Sequence, residues 1–198
     1  MTAPALLSQH IRVTGIVQGV GFRPFVWRLA QQLGLRGWVR NDAQGVEILA
    51  QGSQPGLAEL LERLRLDAPP LARVDSVQAH ELAAEPFTAF SIIASQSGQA
   101  ATAIGPDTAV CADCLHELFD PSSGRYRHAF ITCTHCGPRF TVTRSLPYDR
   151  PQTSMASFPL CPACSLDYTA PTDRRFHAET TCCPQCGPRL KLSDAQGQ

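Results

Sequence analysis

The chain has 198 residues with 17 basic and 17 acidic side chains, a length that fits one or two domains. Basic and acidic residues also balance within each half of the chain, so no basic segment suggests a nucleic-acid-binding region. Because the first ten residues contain neither a basic segment nor a long apolar run, we expect no secretory signal, no membrane anchor and a cytoplasmic location.

The first domain is predicted to span residues 1–94 and to have an α+β fold. Residues 10–17 have the composition of a strand, and the apolar face of a helix follows, ending before Gly34. A tight turn at residues 42–45 joins two further strand-like runs into a hairpin. A second helix with a leucine stripe and two β-rich runs complete the order βαββαβ, which is typical of the ferredoxin-like fold.

The loop between the first strand and the first helix has the sequence VQGVGFR, residues 17–23. Its two glycines allow successive backbone N–H groups to turn toward one point, where the N-terminus of the following helix adds partial positive charge. Arg23 adds a planar donor group that suits phosphate oxygens. We interpret the loop as a phosphate-binding cradle, with candidate residues Gln18, Gly19, Val20, Gly21, Phe22 and Arg23.

Other interpretations of this region stay open at the level of single motifs. Pro24 stands where a third glycine of a dinucleotide-binding motif would fall, and no lysine follows as in a Walker loop. A Gly-x-Gly turn before a helix can also be a simple packing turn. Arg23 could be a solvated surface charge, and Asn41, at the end of the segment GWVRN, could be a turn former beside Asp42.

The segments VQGVGFR and GWVRN, the latter followed by GVE, together resemble the acylphosphatase family, and the resemblance covers residues 8–94. It implies that Arg23 binds the phosphate of the substrate and that the side-chain amide of Asn41 positions the attacking water. Phosphoryl transfer needs alignment and charge stabilisation more than covalent help, so these groups can suffice without a nucleophilic side chain.

The remainder of the chain divides into a linker, a cysteine-containing region and a tail. Residues 95–106 are small, polar and uncharged, which predicts a flexible linker. Residues 107–190 lack long periodic helices or strands, and residues 191–198 form the tail. Because the region 107–190 cannot bury enough apolar surface by itself, metal binding is expected to supply much of its folding free energy.

All nine cysteines lie between residues 111 and 186, and eight of them form C-x2-C pairs. An offset of 50 residues superimposes the pairs within residues 111–136 on those within residues 161–186, which defines an internal repeat. In a reducing compartment this pattern favours two structural zinc sites over disulfides, with iron–sulfur binding as the minor alternative. The predicted metal ligands are Cys111, Cys114, Cys133, Cys136, Cys161, Cys164, Cys183 and Cys186.

Several details of the metal region stay open. C-x2-C pairs from different copies of the repeat could share an ion in a crossed arrangement. Cys182 falls outside the repeat, and we expect it to be a partly buried free thiol. Four histidines could replace sulfur ligands but are expected to be solvent-facing or hydrogen-bonded: His116, His128, His135 and His177. With four sulfurs for each ion, the zinc would be structural, and the eight thiolates would make the loaded region acidic and unsuited to nucleic acid.

The acylphosphatase-like domain followed by the tandem cysteine repeat resembles the N-terminal part of the HypF family, carbamoyltransferases of nickel–iron hydrogenase maturation. The resemblance implies hydrolysis of carbamoyl phosphate, activation of the carbamoyl group with ATP, and transfer of this group to the protein HypE. It also implies further nucleotide-binding and transfer domains, so we expect ATP to bind only in those domains and the chain to be a fragment. A second hypothesis is a non-catalytic module that channels the substrate and docks other domains or HypE. Neither a nucleic acid nor a membrane is expected as a partner.

Overall fold

A five-stranded sheet with two helices forms the first part of the computed structural model, which describes residues 6–83, 87–96, 98 and 101–196. The elements in chain order are β1 (Leu7–Ile16), α1 (Phe22–Gln32), β2 (Arg36–Asp42), β3 (Gly45–Gly52), α2 (Gln54–Leu66), β4 (Arg73–Leu82) and β5 (Phe90–Ile92). The strand order is β4-β1-β3-β2-β5, with β1 antiparallel to β3 and β4, and β2 parallel to β5. The predicted ferredoxin-like α+β fold is confirmed. Among the described residues, no helix is both long and apolar enough to cross a membrane.

The sequence of α1 explains where this helix lies and where it ends. Val26 and Leu29 are buried in the hydrophobic core between the helices and the sheet. Gly34, just beyond the helix, has a φ of 64°, and the N–H of Leu35 donates to the carbonyl of Ala30 at 2.9 Å. This is the pattern of a Schellman cap, which needs a left-handed residue and therefore favours glycine.

The hairpin between β2 and β3 fixes the position of Asn41. Asp42 and Gly45 pair across the predicted tight turn, and the Asp42 carboxylate accepts the backbone N–H groups of Gln44 and Gly45 at 2.8 and 3.0 Å. Burial alone would raise the pKa of Asp42, but hydrogen bonds from Arg12 and from the turn outweigh burial and lower it. The charged, closed turn therefore holds the end of β2, where Asn41 lies.

Two similar finger units follow, each containing one short helix, α3 (Ala112–Phe119) and α4 (Pro162–Thr169). Arg127 and His177 have φ values of 55° and 52°, and their N–H groups donate at 2.9 Å to the carbonyls of Leu118 and Tyr168. Both pairs of residues are related by the offset of 50, so the sequence repeat is also a structural repeat. Short 3₁₀ turns in the described part of this region are Thr134–Cys136, Phe140–Val142, Arg150–Gln152 and Ser154–Ser157.

The described part of the predicted linker lies against the first domain. The N–H groups of Ala101 and Thr102 donate to the carbonyl of Ala43 at 2.7 and 3.1 Å, and the Thr102 hydroxyl donates to the carbonyl of Gly15. These contacts hold the chain near the β2–β3 hairpin on its way to the fingers. The domain boundaries given above remain predictions.

Candidate phosphate site and metal centres

The eight repeat cysteines form two separate clusters of sulfur atoms. In each cluster the four Sγ atoms lie within 4.8 Å of one another, and all four come from one repeat unit. The clusters are Cys111, Cys114, Cys133 and Cys136 in the first finger, and Cys161, Cys164, Cys183 and Cys186 in the second. The observed pairing is therefore sequential, and the crossed arrangement is excluded.

The sulfur geometry fits one tetrahedral ion in each cluster. The Sγ–Sγ distance is 3.6 Å between Cys111 and Cys133 and 3.7 Å between Cys161 and Cys183. A disulfide needs about 2.05 Å, whereas a tetrahedron with metal–sulfur bonds of about 2.3 Å has edges of about 3.8 Å. Since all nine cysteines are free thiols, the residues present fit two four-coordinate centres, and neither cluster includes a histidine.

The ninth cysteine, Cys182, belongs to neither cluster. It is buried, and its Sγ lies 3.2 Å from Nε2 of His128. Burial raises the pKa of Cys182 to about 11 and, together with the charge of Arg125, lowers the pKa of His128, so both groups are neutral at pH 7. The predicted free thiol is confirmed, although it is fully rather than partly buried.

An arginine of each finger reaches into the metal cluster of the other finger. Nη2 of Arg125 lies 3.3 Å from Sγ of Cys164, and Nη2 of Arg175 lies 4.0 Å from Sγ of Cys114. Each guanidinium group also forms an ion pair with an acid on the opposite helix, Asp167 for Arg125 and Glu117 for Arg175. The two sets of contacts are related by the offset of 50 residues, so the fingers exchange equivalent arginines.

Arg174 is a further arginine of the second finger that contacts the sulfur cluster of the first finger. Its Nη1 lies 3.1 Å from Sγ of Cys114 and 3.5 Å from Sγ of Cys133. Four thiolates around one divalent cation carry two net negative charges, so cationic donors that contact the sulfurs offset that charge from outside the centre. The first cluster therefore receives two arginines and the second cluster receives one.

The loop predicted to bind phosphate has the conformation that its glycines allow. Gly19 and Gly21 have φ values of 73° and 76°, in the left-handed region that favours glycine. Among the described residues, no acceptor is found for the backbone N–H groups of residues 19–23, which lead into the first turn of α1. Unpaired donors at a helix N-terminus are suited to an anion.

The finger region covers this cradle. A Cβ atom added at Gly19 would lie 2.6 Å from Cβ of Pro138 and 3.2 Å from the ring of Tyr148. A Cβ atom added at Gly21 would lie 3.0 Å from Cβ of Thr134. The glycines are therefore required by close packing as well as by φ, and the candidate phosphate site lies between the sheet domain and the fingers.

The side chain of Gln18 holds the cradle, the hairpin and the finger region together. Its Nε2 donates to the carbonyls of Asp42 and Gly45 at 2.8 and 2.7 Å, and its Oε1 accepts the N–H of Tyr148 at 2.9 Å. Both amide hydrogens and the amide oxygen are thus used within the protein. Only the backbone of Gln18 is left to contact a phosphate.

Arg23 is buried, with 8% of its surface exposed, which excludes a solvated surface charge. Its Nη2 lies 2.7 Å from Oε1 of Glu179 and 2.8 Å from Oδ1 of Asp149, and its Nη1 donates to the hydroxyl of Ser95 at 3.3 Å. Burial by itself lowers the pKa of Arg23, but the charges of Glu179 and Asp149 outweigh this effect and raise it. The guanidinium is therefore a fixed cation at the cradle.

Asn41 is 1% exposed, and its side-chain oxygen has no hydrogen-bond partner among the described residues. Its backbone carbonyl accepts the N–H of Gln96 at 3.0 Å. A buried amide oxygen without a partner costs about 1–3 kcal/mol unless water or a ligand satisfies it. The geometry is thus suited to a bound water molecule that donates a hydrogen bond to Oδ1.

Arg23 and Asn41 line one cavity with a volume of about 30 Å³. Since one water molecule needs about 10–15 Å³, this cavity has room for about two. A larger cavity of about 430 Å³ shares Arg23, His177 and Glu179 with the first. Burial and the charge of Arg23 lower the pKa of His177 to about 4, so its imidazole is neutral at pH 7.

Motif patterns in the sequence do not predict the residues of the finger region that surround Arg23: Tyr148, Asp149, His177 and Glu179. For His177 the sequence suggests only a possible metal ligand. The repeat contains a signal for two of them, because His177 and Glu179 stand where the first finger has Arg127 and Ala129. No comparable signal marks Tyr148 and Asp149, which lie between the two finger motifs.

Comparison with protein families finds two matches in this chain. The model described as Acylphosphatase matches residues 9–92, and the model described as HypF finger matches residues 110–143 and again residues 160–193. The match of both families to successive parts of the chain agrees with the sheet domain and the two finger units.

Similar proteins carry the same two descriptions. Carbamoyltransferase HypF2 of Cupriavidus necator is 62% identical over 161 residues, which cover 80% of this chain and 20% of the relative. An acylphosphatase of Bifidobacterium longum is 46% identical over 78 residues, which cover 39% of this chain and 79% of the relative. A crystal structure of full-length HypF in the phosphate- and nucleotide-bound form superimposes with a TM-score of 0.93 at 40% identity, covering 98% of this chain and 26% of that one. The chain thus spans about a fifth to a quarter of the length of the HypF proteins that it matches.

Proposed function

Because the chain belongs to the HypF family, with an acylphosphatase-type enzyme domain and two HypF fingers, we propose that it hydrolyses acyl phosphates, chiefly carbamoyl phosphate. Hydrolysis would be the first step of carbamoyl transfer to HypE, from which the cyanide ligand of nickel–iron hydrogenases is made. The steps that need ATP and HypE would require parts of the full-length enzyme outside these residues.

The observation that carries this proposal is that Arg23 and Asn41 line one cavity beside a backbone cradle whose N–H groups have no acceptor in the described part of the chain. In the proposed complex, the N–H groups of residues 19–23 and the guanidinium of Arg23 bind the phosphoryl oxygens. The phosphoryl group would displace water from the small cavity, and the acyl group would extend into the larger one. Val20 and Phe22 contribute backbone only, since both side chains are buried in the core.

The reaction needs one water and one departing acyl oxygen. Water, held by Oδ1 of Asn41, attacks phosphorus while the bond from phosphorus to the acyl oxygen breaks, and carbamate leaves with that electron pair. The proton of the attacking water passes to solvent or phosphate. Charge on the transferring group is stabilised by Arg23 and the cradle, which is the main protein contribution in phosphoryl transfer.

We also propose that both sulfur clusters hold Zn²⁺ in a structural role. Each centre has four sulfurs at tetrahedral spacing, which leaves no position for a reacting water. A cytoplasmic location is supported by the free state of all nine cysteines, since structural disulfides are rare in that compartment.

A second candidate function is a non-catalytic module that binds and channels the phosphorylated substrate. It is favoured by one observation, the pairing of Arg23 with two carboxylates, which leaves fewer of its hydrogens for a phosphate. Turnover separates the two functions, because a channelling module would bind carbamoyl phosphate without releasing phosphate.

The test is phosphate release from carbamoyl phosphate by the purified, zinc-loaded chain, with and without ATP. We expect release without nucleotide, competition by inorganic phosphate, and no conversion of ATP to AMP and pyrophosphate, since no Walker or dinucleotide motif is present. Binding of carbamoyl phosphate without turnover would support the channelling module. Substrate-dependent formation of AMP would reveal a nucleotide site within these residues. It would overturn the proposal that the steps that need ATP require other parts of the full-length enzyme.

A further inference from the structure

Two carboxylates from the finger region contact the same nitrogen of Arg23. Nη2 lies 2.7 Å from Glu179 in the second finger and 2.8 Å from Asp149 in the segment between the fingers. Resting on the proposed function of Arg23, we propose that Glu179, assisted by Asp149, is a positioning residue that orients the catalytic guanidinium from the second finger. The finger region would then complete the phosphate site as well as cover it.

Glu179 is itself held in place from both sides. Its two carboxylate oxygens each lie 3.2 Å from the hydroxyl of Tyr168, and Oε2 accepts the backbone N–H of Arg150 at 3.0 Å. The guanidinium of Arg150 donates to the backbone carbonyl of Glu179 at 2.8 Å. A buried carboxylate with this many donors has one stable orientation, so it can hold Arg23 in one orientation too.

Some hydrogens of the Arg23 guanidinium group are bonded within the protein, and the proposal leaves the others for the substrate. Nη2 donates to Oε1 of Glu179 at 2.7 Å and to the backbone carbonyl of Tyr148 at 3.4 Å. Oδ1 of Asp149 lies 2.8 Å from Nη2 as an ion-pair contact, and Nη1 uses one hydrogen toward Ser95. Within the described residues, Nε–H and the second hydrogen of Nη1 have no acceptor. Those two hydrogens are the ones that the proposal assigns to the phosphoryl group.

Sequence differences between the two finger units support a role for Glu179 other than folding of the finger. The first unit forms the same helix, left-handed residue and sulfur cluster with alanine at the equivalent position, Ala129. Tyr168, which binds Glu179, likewise stands where the first unit has Leu118. The acid and its supporting hydroxyl therefore occur only in the unit whose residues face Arg23, and the finger architecture does not require them.

The test is a double-mutant cycle between Arg23 and Glu179, read as kcat/KM for phosphate release from carbamoyl phosphate. We expect Glu179→Ala to lower kcat/KM by about 10- to 100-fold in the wild-type background, the loss typical of a misplaced catalytic group. Glu179→Gln, which keeps one acceptor oxygen, should lose less and so restore part of the activity. In the Arg23→Ala background, Glu179→Ala should change kcat/KM less than about twofold, because a residue that acts through Arg23 has nothing left to position.

Controls separate positioning from a general structural effect. Zinc content should stay at the wild-type value in every variant, and Glu47→Gln, which removes the charge of a buried glutamate paired with Arg40 on the sheet, should leave kcat/KM unchanged. Equal losses from Glu179→Ala in both backgrounds, or full activity of Glu179→Ala, would overturn the positioning role while the proposed function stands. A wild-type chain that neither binds nor hydrolyses acyl phosphates would overturn both.

Discussion

At the scale of single residues, the proposed reaction assigns different requirements to Arg23 and Asn41. Arg23 is a buried cation whose charge is maintained by two carboxylates. In the proposed complex it would contact the phosphoryl group both before and during transfer. Asn41 is a buried neutral amide whose oxygen has no partner within the described part of the chain, which suits a water molecule rather than an anion. Their variants should therefore affect different kinetic constants.

Arg23→Ala should abolish binding of inorganic phosphate and lower hydrolysis by about 10²–10³-fold, because a charged donor to the transferring group is lost. Calorimetric titration with phosphate and a phosphate-release assay measure the two effects. Arg28→Ala serves as the control, since Arg28 lies on the same helix but lines neither of the two cavities described above. Normal turnover by Arg23→Ala would contradict the assigned role.

Asn41→Ala should spare phosphate binding and lower kcat, by about 10²-fold, because only the orientation of water is lost. Steady-state kinetics and the inhibition constant of inorganic phosphate provide the measurement. If Asn41→Ala weakens phosphate binding as much as Arg23→Ala and leaves turnover of bound substrate intact, the water-positioning role is wrong.

At the scale of elements, the two fingers depend on each other through exchanged arginines. Each finger helix carries one acid and one cysteine that receive an arginine from the other unit. Because these contacts involve the metal ligands themselves, the charge of one centre is stabilised by the fold of the other unit. Loss of one arginine should therefore weaken the metal centre of the opposite finger.

Arg175→Leu should reduce metal affinity at the first cluster, and Arg125→Leu should reduce it at the second, each by about 10- to 100-fold. Cadmium NMR of the substituted protein, with one resonance expected for each cluster, combined with chelator competition, identifies which ion leaves first. Arg189→Leu, in the exposed end of the second finger, should change neither. Preferential loss of the ion from the finger that contains the substituted arginine would contradict the exchange.

At the scale of the whole molecule, the two halves are stabilised by different means. The sheet domain has a continuous core of buried aliphatic and aromatic residues, whereas the hydrophobic core of the first finger consists of the buried residues Cys114, Ile131, Cys133 and Cys136. A region with so small an apolar core relies on bound metal for its folding free energy. Removal of the metal is thus expected to unfold the finger region before the sheet domain.

Strong chelation should unfold the region 107–190 and leave the sheet domain of residues 8–94 folded. Hydrogen exchange resolved by region, followed during chelation, measures this directly. Phosphate release should be lost in the same step, since Asp149, Glu179 and the cover of the cradle belong to the region that unfolds. One cooperative transition of both halves, or retained activity after chelation, would contradict this expectation.

Local patterns determined much of this protein by themselves. The helix from Phe22 and its end at Gly34, the hairpin turn at Asp42 to Gly45, and the order βαββαβ follow from short-range rules of apolar spacing, capping and turn chemistry. The eight candidate metal-binding cysteines follow from cysteine spacing, and the candidate pair Arg23 and Asn41 follows from motif resemblance. Each of these features is encoded within a few neighbouring residues or a regular repeat.

Only the tertiary structure decided how the halves combine. Crossed and sequential pairing of the cysteines satisfy the same spacing, and the structure has the sequential one. The contacts of Arg23 with Asp149 and Glu179, and the close approach of Pro138 to Gly19, join residues more than a hundred positions apart. No local rule encodes such contacts, because they depend on the packing of one folded unit against another rather than on the order of residues along either unit.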